Sequence, residues 1–170
     1  RRILYVPPDC WIVVDTFRSE GAHGYAQHFH FAEDVPLQID RETNTARTAF
    51  SEGANLTLIQ LGQGEWTMQP CWISRHYNQK RAAKKLVYRQ AAHGFHAFVT
   101  VLTTHLGREE AGLFVRELEV RDTRDRLLDA KKVTALEIRR EGRSAVALFS
   151  HQGPDSYQFA GTHMSGEVIL

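Results

Sequence analysis

The sequence has few of the features that mark disulfide-stapled, disordered or membrane-spanning chains. It contains two cysteines among 170 residues, and two cysteines cannot build a disulfide framework. Twelve glycines and five prolines are too few for a low-complexity chain. No stretch approaches the ~18 consecutive apolar residues of a membrane helix. These absences leave an ordinary globular chain, for which we expect no membrane partner.

The two cysteines lie in similar surroundings. Cys10 and Cys71 are each followed by Trp and Ile, which predicts small, buried, hydrophobic side chains. The sequence leaves a single disulfide between Cys10 and Cys71 as an alternative. The two cysteines therefore do not indicate whether the protein works in an oxidising or a reducing compartment.

Carboxylates are absent from one long segment. No Asp or Glu occurs between Glu65 and Glu109, although the formal net charge of the chain is only +1. The basic residues of this segment are Arg75, Lys80, Arg81, Lys84, Lys85, Arg89 and Arg108, with His76, His93, His96 and His105. Within it, residues 72–81 interleave basic, amide and aromatic side chains. Guanidinium forks pair with carboxylate or sulfate, and Trp or Tyr stacks on a sugar or a base.

Three interpretations of this basic segment stay open. It is a solvated strand face or loop, a surface for an anionic polysaccharide, or a surface for nucleic acid. No recognition helix, RNP-like motif or zinc knuckle accompanies the charge, so we expect no nucleic-acid partner.

Periodicity is strand-like along most of the chain. Residues 10–17 form a short apolar, β-branched run, which is typical of a buried strand. Residues 23–31 alternate strictly, which predicts that Tyr25, Gln27 and Phe29 share one face, while His28 and His30 share the other. Further strands are predicted at 1–6, 45–50, 55–61, 66–69, 86–90, 95–103, 112–120, 133–139, 145–150, 157–160 and 167–170.

About a dozen short strands at this spacing predict an all-β fold, an antiparallel β-sandwich with little helix. The best helix candidate, residues 122–132, is equally compatible with a charged loop. Length and the lack of a linker predict one domain over residues 1–170. We expect Trp11, Val13, Phe29 and Val101 in or near its core.

Two local motifs contain residue types that can carry chemistry. His28 and His30 project from the same strand face, which permits shared metal ligation, but the sequence dictates no third ligand, and packed or hydrogen-bonded rings explain the pair as well. Gly62-Gln63-Gly64 lacks the later Gly and the helix of a phosphate loop, so it predicts a hairpin turn. No nucleophile elbow or paired carboxylates occur, and we assign no catalytic and no metal residue.

Five weak motifs follow one another over most of residues 1–150. They are Arg1-Arg2-Ile3-Leu4-Tyr5-Val6, Trp11-Ile12-Val13-Val14-Asp15, Gln27-His28-Phe29-His30-Phe31, the segment 72–80 and the strand 98–103. By the order of these motifs, the chain resembles the C-terminal sheet region of heparinase II/III-like polysaccharide lyases, a family that usually has Gly where this chain has Asn78.

The resemblance implies the C-terminal fragment of a longer chain, whose N-terminal domain is an α/α toroid. The start of the sequence, already strand-like and without an initiator Met, fits this expectation. Such lyases cleave uronic-acid-containing polysaccharide by β-elimination. The family's base, acid and zinc motifs do not occur here, so we expect no cofactor in this fragment and no cleavage by the fragment alone. The resemblance also implies a bacterial protein that is periplasmic or secreted.

The predicted partners are an acidic polysaccharide and the toroid of the same parent chain. The predicted substrate-binding residues are Trp72, Arg75, Tyr77, Lys80 and Arg81. One alternative is a free-standing carbohydrate-binding module that stacks sugars on Trp66, Trp72 and Tyr77. A structural interaction domain without a ligand is the other.

Overall fold

The computed structural model describes residues 1–107, 112–140, 142–153, 155–159 and 161–170. These residues form thirteen β-strands, all paired antiparallel, and no helix. The predicted all-β antiparallel fold is therefore confirmed. No described segment is a helix long and apolar enough to cross a membrane.

The chain divides into two compact units, Arg1–Glu109 and Glu110–Leu170, and each is described by itself. The assignment of both units to one domain stays a prediction. Arg108 of the basic segment lies outside the described residues. Residue 160 of the predicted strand 157–160 and residues 109–111, 141 and 154 also lie outside them.

The first unit is a single seven-stranded sheet. Its strands are β1 (Arg2–Val6), β2 (Cys10–His30), β3 (Leu37–Asp40), β4 (Thr45–Thr48), β5 (Ala54–Leu61), β6 (Glu65–Ile73) and β7 (Arg81–Leu106). They pair in the order β1-β2-β7-β5-β4-β3, and β6 also pairs with β7. β3 was not predicted, because its four residues carry too short a pattern.

The two longest strands bend at the same level of the sheet. β2 and β7 pair from Cys10–Thr103 to Arg18–Phe95, the register then shifts, and pairing resumes at Ala22–His93. Gly21 and Gly94 both have positive φ at this shift, a backbone conformation that glycine adopts at no steric cost. Each strand was predicted as two strands, because a bulge and a bend look like a turn in sequence.

The bend folds the first unit into two layers. β5 pairs with the second half of β7, whereas β6 pairs with its first half. The segment 62–64 therefore connects the layers, and the prediction of a hairpin turn there is wrong. A hairpin needs two strands that pair with each other, and here both pair with β7.

Side chains from both layers meet in one hydrophobic cluster. The buried members are Ala46, Leu58 and Phe98 from one layer, and Trp66, Leu86 and Tyr88 from the other. The Trp66 indole N–H donates to the Asn44 carbonyl at 3.1 Å. Phe29 packs against this cluster, Val101 is fully buried, and Trp11 and Val13 are partly buried, as predicted.

A buried polar network also joins the two layers. Arg1 donates two 2.7 Å hydrogen bonds to the Asp15 carboxylate, and Gln27 donates a third at 2.9 Å. The Gln27 side-chain oxygen accepts in turn from Gln60 at 2.5 Å and from Thr100 at 2.9 Å. Burial alone would raise the pKa of Asp15, but the bonds from Arg1 and Gln27 hold that pKa below its ordinary value.

The second unit contains two small sheets. Its strands are β8 (Phe114–Leu118), β9 (Val133–Arg140), β10 (Arg143–Ser150), β11 (Asp155–Phe159), β12 (Thr162–Gly166) and β13 (Val168–Ile169), in the orders β13-β10-β9-β8 and β11-β12. Its core contains Val120, Val133, Ala135, Leu148, Tyr157 and Phe159.

Residues 122–132, for which the sequence is compatible with either a helix or a charged loop, form a loop. Asp122 accepts hydrogen bonds from the backbone N–H groups of Arg124 and Arg126 and from the Arg126 side chain. These bonds lower the pKa of Asp122 to about 2. A carboxylate that binds its own following backbone in this way holds a turn in place of a helix.

No disulfide joins Cys10 and Cys71. Cys10 is buried at the start of β2, as predicted, while Cys71 is half-buried in β6.

Candidate functional site

The predicted binding residues lie together where β6 turns into β7. The connecting segment 74–80 is exposed throughout, and Trp72 and Tyr77 are 59% and 100% exposed. Trp72 is in the last part of β6, and Arg81 begins β7. We call the five residues Trp72, Arg75, Tyr77, Lys80 and Arg81 the rim.

Local hydrogen bonds shape the loop of the rim. The Ser74 hydroxyl donates to the His76 carbonyl at 2.8 Å, and the Gln79 N–H donates to the same carbonyl at 3.1 Å. Asn78 has a φ of 61°. Asn and Gly are the residues that occupy this left-handed region most readily. The conformation therefore explains why an Asn stands where the resembled pattern has Gly.

One carboxylate from a distant loop binds both arginines of the rim. Glu33 accepts from Arg75 at 2.9 and 3.1 Å, and its other oxygen lies 3.5 Å from Arg81. A backbone hydrogen bond and the two guanidinium groups hold the pKa of Glu33 below its ordinary value, against the opposing effect of burial. The Glu33–Arg75–Arg81 cluster thus carries one net positive charge.

The lysine of the rim lies over its tryptophan. The Lys80 ammonium is 4.3 Å from the centroid of the Trp72 ring, within the range of a cation–π contact. This contact holds the lysine close to an indole that remains largely exposed. The ammonium lies over one face of the ring, so an acidic sugar stacked on the other face would have a positive charge across the indole.

Sequence reasoning placed the five residues of the rim in one segment but missed Glu33. This carboxylate precedes Arg75 by 42 residues and Arg81 by 48, and it lies outside the carboxylate-free segment. No local pattern links it to the rim. The binding role of the five residues stays a prediction.

Trp66 does not belong to this surface. Its side chain is 2% exposed and packs between Phe29 and Tyr88, with ring centroids 5.8 and 5.2 Å away. The expectation that Trp66 forms part of a stacking platform is therefore wrong. Residue 66 faces the core because it is an even-numbered position of β6, opposite Tyr88.

His28 and His30 share the outer face of β2, as predicted. Their rings are nearly parallel, with centroids 6.4 Å apart. Among the described residues, no group of three or more His, Cys, Asp or Glu side chains has the arrangement of a metal site.

The fold and the rim define an antiparallel β-sheet domain with a cationic, aromatic hairpin end. The family model described as "Heparinase II/III-like, C-terminal" matches residues 1–124. The chain therefore belongs to the heparinase II/III-like family, through its C-terminal domain. None of the curated proteins compared matches it.

Solved structures show the same fold. The heparan sulfate lyase HepC from Pedobacter heparinus has a TM-score of 0.71 at 18% identity, over 88% of this chain and 23% of that one. The heparinase III BT4657 gene product gives 0.68 at 15%, over 87% and 22%, and another heparinase III gives 0.65 at 11%, over 87% and 23%. The chain thus spans less than a quarter of each of these proteins.

Proposed function

We propose that this chain is the sheet domain of a polysaccharide lyase, which cleaves uronic-acid-containing polysaccharide by β-elimination. In this proposal the rim lines one wall of the substrate cleft, while an α/α toroid of the parent chain forms the other. The parent protein works in the bacterial periplasm or outside the cell. The observation that supports the proposal is the exposed hairpin end, in which Trp72, Lys80 and two arginines lie together in a member of this family.

The chemistry divides naturally between two domains. β-Elimination needs a base near the C5 proton, an acid at the leaving oxygen, and neutralisation of the uronate carboxylate so that C5 becomes acidic. Each group contributes only within hydrogen-bond reach of the same sugar. The rim supplies cations and an aromatic face, which bind and orient the chain of sugars. The base, the acid and any zinc ligands are placed upstream, because the family's motifs for them do not occur in this sequence.

Glu33 gives the rim a built-in competitor. A sugar carboxylate or sulfate that binds Arg75 or Arg81 must share that guanidinium with Glu33. Glu33→Gln would remove the competing charge and leave both arginines in place. We therefore expect Glu33→Gln to bind an acidic polysaccharide more tightly than the wild type, whereas Arg75→Gln/Arg81→Gln should bind more weakly.

The test is titration of this chain with heparin and with a polyuronate at low and at physiological salt. Binding should weaken as salt rises, because exposed charges are screened over about 8 Å at physiological ionic strength. Arg124→Gln/Lys131→Gln is the matched control, since it removes two exposed positive charges of the second unit. Equal losses in the rim and control variants would refute a specific site. Equal binding of neutral glucans would instead support the carbohydrate-binding module.

Activity is tested on two proteins. The isolated chain should produce no unsaturated uronate from heparin, heparan sulfate or alginate, whereas the parent chain should. Turnover by the isolated chain, abolished by His28→Gln or His30→Gln, would show that the catalytic groups are misplaced in this proposal.

A further inference from the structure

A second cationic surface lies on the outer face of the layer formed by β6, the first half of β7 and the second half of β2. Gln27, Phe29, Leu86 and Tyr88 turn inward. Because successive side chains of a strand alternate, His28 and His30 of β2, and Lys85 and Arg89 of β7, point outward. The pairing register places His30 opposite Lys85. We call these four residues the outer row.

The groups that titrate or carry charge on this face come from three strands. They are His28 and His30 on β2, Arg81, Lys85, Arg89 and His93 on β7, and Glu65 on β6. Among the described residues, no carboxylate lies within 4.0 Å of a Lys85 or Arg89 nitrogen, although Glu65 is the register partner of Arg89. Arg89 instead donates to the Thr67 hydroxyl at 3.2 Å. No described carboxylate therefore neutralises the positive charge of Lys85 and Arg89 in the outer row. In the rim, by contrast, Glu33 neutralises part of the charge of the two arginines.

The pKa of His28 indicates that the electrostatic potential on this face is positive. Partial burial, then Lys85, Arg89 and His30, lower the pKa of His28. The same positive groups disfavour a metal cation beside the parallel rings. They favour an anion, which would reverse the effect and raise the pKa of His28. Imidazole is the side chain that gains charge between pH 8 and pH 5.

We propose that the outer row is a second anion-binding site, which holds sulfate or carboxylate groups of a linear acidic polysaccharide and strengthens as its histidines become protonated. Lys85 and Arg89 are four residues apart, about 13 Å along the strand. That span lets one extended chain contact both cations and both imidazoles. Single-stranded nucleic acid is disfavoured, because binding it relies on aromatic platforms, and the described strand positions of this face carry no aromatic ring besides the imidazoles.

Binding of heparin to this chain at pH 8.0 and pH 5.5, at fixed ionic strength, tests the site. We expect tighter binding at pH 5.5, by about tenfold for each unit by which the bound anion raises an imidazole pKa. Lys85→Gln/Arg89→Gln should weaken binding at both pH values. His28→Gln/His30→Gln should remove the gain at pH 5.5 and leave binding at pH 8.0 nearly unchanged.

The controls separate this site from the rim and from misfolding. His76→Gln removes an exposed imidazole of the rim loop and should keep the pH dependence. Lys85→Arg/Arg89→Lys preserves charge and should bind like the wild type, so its failure to bind would indicate a structural defect. The Arg124→Gln/Lys131→Gln control should keep the pH dependence.

Three outcomes would overturn the proposal. They are unchanged binding in Lys85→Gln/Arg89→Gln, persistence of the pH dependence in His28→Gln/His30→Gln, and tighter binding of single-stranded DNA than of heparin. If Arg75→Gln/Arg81→Gln loses binding while Lys85→Gln/Arg89→Gln retains it, the outer row is rejected and the rim is kept. The reverse pattern would keep the outer row and reject the rim.

Discussion

Gly64 is the position where one added methyl group should damage the fold most clearly. It lies in the connection between the two layers of the first unit, just before β6. A Cβ atom there would be 2.4 Å from the Arg89 carbonyl oxygen and 2.6–2.7 Å from the Tyr88 ring. The Gly64 N–H also donates to the Tyr88 hydroxyl at 2.7 Å. Neither neighbour can move cheaply, since one is backbone and the other a fully buried ring.

The expected cost of Gly64→Ala has two parts. Overpacking of a tight site costs about 1–3 kcal/mol. Displacement of the N–H from the Tyr88 hydroxyl adds about 0.5–1.5 kcal/mol. We therefore expect Gly64→Ala to lower the free energy of unfolding by about 1.5–4.5 kcal/mol.

Gly24→Ala is the matched control, because a Cβ at Gly24 meets nothing within 4 Å and its φ is not positive. Its stability should stay within about 0.5 kcal/mol of the wild type, or rise slightly. Urea unfolding followed by tryptophan fluorescence measures both variants, since Trp66 is in the core beside Tyr88. If the two variants lose equal stability, the close approach at Gly64 does not constrain the fold.

Three further predictions concern the same unit. Trp66→Ala should cost about 3–5 kcal/mol in urea unfolding, because it empties the centre of the interlayer cluster. Asn78→Ala should lower stability by about 1–2 kcal/mol because of the left-handed backbone, whereas Asn78→Gly should not. Burial lowers the pKa of His96 below its ordinary 6.5, so the unfolded chain takes up the proton first and stability falls as pH drops below about 6.5. His96→Phe should reduce that fall in thermal unfolding between pH 7 and pH 5.

The faces of the strands could be predicted because half-buried strands alternate. In residues 23–31 the alternation places Gln27 and Phe29 on one face and His28 and His30 on the other, and in the structure the first pair turns to the interior and the second is exposed. A one-residue slip would have exchanged the two sets. The alternation in the sequence therefore predicts which side chains of this strand pack on the same face.

Strand continuity could not be predicted from the same pattern. Gly21 and Gly94 interrupt the alternation just as turn residues do, and only the pairing of β2 with β7 shows that both strands continue through the bend. The sequence predicts a hairpin turn at residues 62–64, and this prediction is wrong for a related reason. Pairing partners depend on contacts between residues far apart in sequence, and no local signal distinguishes a hairpin from a link between layers.

The same limit applies to charge. Glu33 reaches Arg75 and Arg81 from another loop, while Lys85 and Arg89 have no such carboxylate partner among the described residues. A count of basic residues treats both pairs alike. Their partners distinguish them, because an anion must compete with a carboxylate at the rim, whereas at the outer row it competes with water and the neutral Thr67 hydroxyl bound by Arg89. Strength of binding should therefore follow the partners of each cation and not the density of cations in the sequence.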